Sequence, residues 1–90
     1  MPIPRKKVLE KVAGFRKGIR YHLDEHIPAL IPEADANLVE YWRKEVTSRI
    51  SEFEKCAKRL SNNDELLEEA AEYRQRLAEI LDDRLRQLED

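Results

Sequence analysis

The stretch from Ala36 to Leu60, ANLVEYWRKEVTSRISEFEKCAKRL, decides the fold. Its apolar residues Val39, Trp42, Val46, Ile50, Phe53, Ala57 and Leu60 recur at spacings of 3-4-4-3-4-3. That is the interval of one face of a helix with 3.6 residues per turn, and nothing in the run alternates as a half-buried strand does. Such a helix buries one side and needs neighbours to bury it against.

Both flanks supply them. Towards the N-terminus, Val8, Val12, Phe15 and Ile19 are spaced 4-3-4, and Leu9, Leu23 and Ile27 widen the stripe. Towards the C-terminus, Leu67, Ala71, Ala78, Leu81, Leu85 and Leu88 share one stripe, with Leu66, Ala70, Tyr73, Leu77 and Ile80 beside it. Punctuation separates the three segments. Pro2 and Pro4 sit where a first helical turn tolerates a missing N–H. Pro28 and Pro32 bracket Ile27 to Glu33, where a continuous helix would lose hydrogen bonds and clash. Ser61-Asn62-Asn63-Asp64 offers side chains that cap a helix start, followed by acids suited to its positive end. The sequence therefore predicts one all-α domain over 1–90, with helices near 5–27, 35–61 and 64–89. Similar lengths and short connections predict an antiparallel up-down-up three-helix bundle. A helical hairpin that dimerises into a larger bundle is the alternative.

Composition agrees. Ala, Glu, Lys, Leu and Arg make up 49 of the 90 residues, and charged residues 40%, the usage of long helices. Ninety residues with one cysteine exclude a large enzyme fold and a disulfide scaffold. The chain has neither an apolar run of membrane-spanning length nor a signal-peptide core, so a reduced cytoplasmic setting and no membrane partner are expected.

Two apolar features exceed what a simple bundle needs. The third helix carries two adjacent stripes, so it either covers both partners or meets another chain, giving a homodimer through that helix. The linker Ile27-Pro28-Ala29-Leu30-Ile31-Pro32 is more apolar than a solvated loop. Ile27, Leu30 and Ile31, together with Tyr41 beside the second helix's stripe, are the candidate partner contacts.

Charge is uneven. Residues 1–20 hold seven bases against Glu10 alone, +6, while the other seventy hold ten bases and eighteen acids, −8. Lys6, Lys7, Lys11 and Lys17 are candidate phosphate contacts for a nucleic acid. Spread around the polar arc and short of stacking aromatics, they equally suit a helix lying against Glu65, Glu68, Glu69, Glu72 and Glu79 of the third.

His22-Leu23-Asp24-Glu25-His26 is the stretch with chemical potential. Two histidines four apart share a helix face and can grip zinc or copper, and the string matches the inverted zinc-protease pattern H-x-x-E-H. A protease needs a third protein ligand and a cleft, which leaves a polar layer at the core edge, bonded by Tyr41, Glu45 or Arg84, as the expectation. Glu45 is the residue best placed to be a third ligand if metal binds, but no metal and no cofactor is expected. Arg16 and Arg20 each precede a histidine by six positions, a spacing that resembles the R-x(4–6)-H pattern of the HEPN ribonucleases. That resemblance implies helical dimers with ribonuclease activity at His22 and His26.

Gly14 and Gly18 form G-x-x-x-G on the first helix, either a smooth strip for a close neighbour or a tolerated weakness. Arg49, Arg74 and Arg84 fall within apolar stripes, where long cationic side chains lie along a core edge. Cys56 reads as a small packing residue. The functional expectation is a non-enzymatic protein–protein interaction module. A nucleic-acid-binding protein is the first alternative, and metal-dependent or ribonuclease chemistry at the histidines the second.

Overall fold

A computed structural model describes residues 4–89, which excludes Pro2 and the two chain ends. All regular structure among the described residues is helical. The elements are α1 (Arg5–Tyr21), a π-helical turn (His22–His26), α2 (Ile27–Leu30), a 3-10 turn (Ile31–Glu33), α3 (Ala36–Ala57) and α4 (Asp64–Glu89). They pack as a bundle whose Cα atoms span 52 × 19 × 18 Å.

The predicted break at Ile27 is not where the first helix ends. Helical backbone runs from α1 through the π turn into α2, across Pro28. The wide turn explains how: the Ile27 N–H donates to the His22 carbonyl five residues back, and Pro28 falls in the first turn of α2. There its lack of an N–H does the least damage. The same turn keeps the apolar face aligned. Ile19, Leu23 and Ile27 follow one another at four-residue steps, each of which drifts the face by about 40° in a regular helix. A wider turn takes up the drift, and all three side chains are buried.

Pro4 occupies the N-cap of α1, its carbonyl accepting the N–H groups of Lys7 and Val8. Asp35 caps α3 through its carboxylate, which accepts the Leu38 N–H at 2.8 Å. α3 ends at Ala57, earlier than the predicted 61. Arg59 and Leu60 N–H groups bond to the Cys56 and Ala57 carbonyls in a tightened turn, and Asn62 takes a left-handed conformation at φ 56°. Asn is among the few non-glycine residues that adopt this region readily. The Asn63 amide donates to the Ala57 carbonyl at 3.3 Å, and its own carbonyl accepts from Leu67 at the start of α4.

The core is Val8, Val12, Ile19, Leu23 and Ile27 against Val39, Trp42, Val46, Ile50 and Phe53, closed by Ala70, Tyr73, Leu77 and Leu81. On α4 both apolar stripes reach the core. The side stripe takes the larger share of the burial, through Ala70, Tyr73 and Leu77, whereas in the other Leu81 is wholly buried, Leu67, Ala78 and Leu85 are half-buried, and Ala71 and Leu88 are exposed. Tyr73 accounts for this, because its ring can enter the core while its hydroxyl finds polar partners at the rim. The pairs Arg16–Glu69, Arg20–Tyr73 and Asp24–Arg76 rise together along α1, the π turn and α4. The pairs Glu54–Arg74 and Arg43–Asp82 run in opposite senses on α3 and α4. Among the described residues, Glu69 is the one of the five acids expected to complement the first helix that forms an ion pair with it, and Asp24–Arg76 reverses the polarity.

Candidate functional sites

The π turn and the final residue of α1 build an aromatic cluster. His22 and His26 lie on the side of their rod facing α3, with Nδ1 atoms 3.1 Å apart. The Tyr21 ring stacks on His26 at 5.7 Å with planes 10° apart, and His26 meets the edge of Trp42 at 6.2 Å. The rings therefore bond to each other instead of to Tyr41, Glu45 or Arg84. Arg84 instead donates to the Ala34 carbonyl at 3.0 Å, pinning the linker. Burial pushes the His22 imidazole below the usual histidine range, Arg49 and His26 push it further, and Glu45 opposes them. At neutral pH His22 is thus uncharged, and one Nδ1 donates to a lone pair on the other.

Arg16 and Arg20 face away from this cluster. Arg16 Nε and Nη2 clamp the two Glu69 oxygens at 2.7 and 3.0 Å, and the guanidinium lies 5.9 Å from the Phe53 ring centre. Arg20 Nε donates to the Tyr73 hydroxyl at 2.9 Å, which itself donates to Glu69 at 2.5 Å. Both arginines of the R-x(4–6)-H spacing are therefore held on α4, while the histidines look towards α3.

A second site lies at the bundle end formed by the linker. A cleft of about 560 Å³ opens between Ile31 and Pro32 on one side and Ile80, Arg84 and Gln87 on the other. Glu79, Asp83 and Arg86 rim it with both signs of charge. Leu30 beside it is 46% exposed, and Ile31 is half-buried. Of the other partner candidates, Tyr41 is exposed, whereas Ile27 is wholly buried in the core. Ile27 is corrected from contact residue to packing residue, because the helix continues through it.

Lys6, Lys7, Lys11 and Lys17 are exposed along α1. A Cβ at Gly14 would meet open space and one at Gly18 would meet the Arg49 guanidinium at 3.6 Å, so among the described residues no backbone approaches this strip. Arg49 pairs with Glu45 and Arg74 with Glu54. Cys56 is a buried free thiol. No helix among the described residues is long and apolar enough to cross a membrane. No protein family, curated protein or solved structure significantly matches this chain.

The π turn escaped the reading of the sequence, although a signal was there. Pro28 interrupts a periodicity that does not stop: Ile19, Leu23, Ile27 and Ile31 continue at four-residue steps across it. A proline inside an unbroken apolar stripe calls for a widened turn just before it.

Proposed function

We propose that this chain is a small non-enzymatic protein–protein interaction module: an adaptor, an assembly subunit or a stoichiometric inhibitor. In this reading it is an antiparallel up-down-up three-helix bundle working in the reduced cytoplasm. The cleft beside Leu30 carries the proposal. An apolar patch of Ile31, Pro32 and Ile80 bordered by polar and charged side chains of both signs suits one apolar side chain of a partner, with polar groups around it. The directions of the inter-helix ion pairs support the topology. Self-association along the part of α4 left outside the core, from Leu67 through Ala71 and Ala78 to Leu88, is the homodimeric form of the same reading.

The test is the double variant Leu30→Ser, Ile31→Ser, compared with wild type in affinity capture from native extract. Partner recovery is expected to fall about tenfold, as losing two apolar contacts implies, with helicity by circular dichroism retained. Unchanged recovery would remove the cleft as the contact.

Nucleic-acid binding through α1 is the second reading. It is favoured by one observation: none of Lys6, Lys7, Lys11 and Lys17 is in an ion pair among the described residues. Four phosphate contacts predict that log affinity for duplex DNA falls with log salt at a slope of roughly −3 to −4. Changing all four lysines to Gln is expected to flatten that slope. A flat wild-type response ends this reading.

A further inference from the structure

We propose that His22 and His26 form a two-imidazole chelate for a divalent transition cation of the copper, nickel and zinc class, with Cu²⁺ bound most tightly. The Nδ1 atoms of the two rings face each other at 3.1 Å. Two imidazole nitrogens so close must share a positive centre between their lone pairs, and in the metal-free chain that centre is one proton. A metal can take its place. At a metal–nitrogen distance of about 2.0–2.1 Å, nitrogens 3.1 Å apart subtend roughly 100° at the metal. That angle lies between the square-planar and tetrahedral values these cations adopt.

The surroundings hold the chelate ready. The π turn fixes both residues on one face, and π turns recur at functional sites because they re-aim side chains. Stacking by Tyr21 and the edge of Trp42 restrain the His26 ring, which reduces the rotamer entropy lost on binding. Both histidines are half-buried and Tyr21 is exposed, so a hydrated ion can reach the pair. No group of three or more His, Cys, Asp or Glu gathers as a metal site among the described residues. The remaining positions therefore go to water, which distinguishes the site from a closed structural zinc centre. Arg49 lies near enough to His22 to oppose a cation, but its guanidinium is tied to Glu45, which offsets it. Affinity is expected to follow the order Cu²⁺ above Ni²⁺ and Zn²⁺.

The experiment titrates the full chain with Cu²⁺ alone, following heat and electron paramagnetic resonance. One ion per chain with hyperfine splitting from two nitrogens is expected. His22→Ala and His26→Ala should each weaken binding roughly tenfold or more, and the double variant should lose the signal. Because these rings touch the core, a second measurement stays with the wild type: substoichiometric Cu²⁺ should broaden the His22 and His26 ring proton resonances before any others. Sharp histidine resonances beside broadening elsewhere, or a double variant that binds as tightly as wild type, would overturn the chelate.

Discussion

Trp42→Ala is expected to lower the free energy of unfolding by about 3–5 kcal/mol, the range for emptying a large aromatic site in a core. The indole is 1% exposed and is the largest fully buried side chain. It sits where α3 packs beneath the π turn, in edge contact with His26. Collapse cannot fill the hole cheaply, because the core it belongs to is closed, with Leu23, Ile27, Val39 and Val46 each at most 1% exposed, and close-packed side chains relax only partly. A domain of this size has a total stability of order 5–15 kcal/mol, so the variant stands near the edge of folding. Its Tm should drop by more than about 12 °C. Urea denaturation monitored by circular dichroism reads the change, with the slope against urea unaltered if the unfolded state is unaffected. A loss below about 1 kcal/mol would mean that the end of the bundle near α2 is open to solvent.

This part of the molecule separates what the sequence makes legible from what it does not. The α3 stripe was readable because each of its buried residues recurs at helical spacing, and Trp42 falls on it. The break before α4 was readable from the short polar side chains of Ser61-Asn62-Asn63-Asp64. The continuation through Pro28 was not, because proline rules describe a regular helix and the answer depended on a local change of pitch. Burial on α4 was ambiguous for another reason. Two stripes of similar strength flank each other there, and the choice between them rested on partners for the Tyr73 hydroxyl, supplied by Arg20 from more than fifty residues away in sequence. The histidine pair was visible as spacing, but the direction in which its nitrogens point is a property of the π turn. The cleft at Ile31 was foreshadowed by an apolar linker, whereas its far wall on α4 required the fold.

Glu69→Gln is expected to cost about 2 kcal/mol at pH 7, the scale of lost hydrogen bonds to a charged group. Glu69 accepts from both Arg16 nitrogens and from the Tyr73 hydroxyl, and its side chain is 19% exposed. Arg16 at 33% exposure keeps some access to water, so the cost stays below the 3–5 kcal/mol of breaking a fully buried pair. The pH dependence is the sharper signature. Burial pushes the Glu69 carboxyl up, but the Arg16 and Tyr73 hydrogen bonds outweigh it and hold it below the ordinary value of 4.5. A carboxyl depressed by folding contributes stability that is complete above its unfolded value and is lost as pH falls through its folded one. The difference between wild type and Glu69→Gln should therefore be constant from pH 7 to about pH 5, then shrink as the solution is acidified further. All other carboxylates titrate in both proteins, so the difference isolates this one. Denaturation midpoints measured from pH 7 to pH 2.5 decide the matter. A gap that persists unchanged into acid would assign the cost of the substitution to packing and remove the charged clamp between α1 and α4.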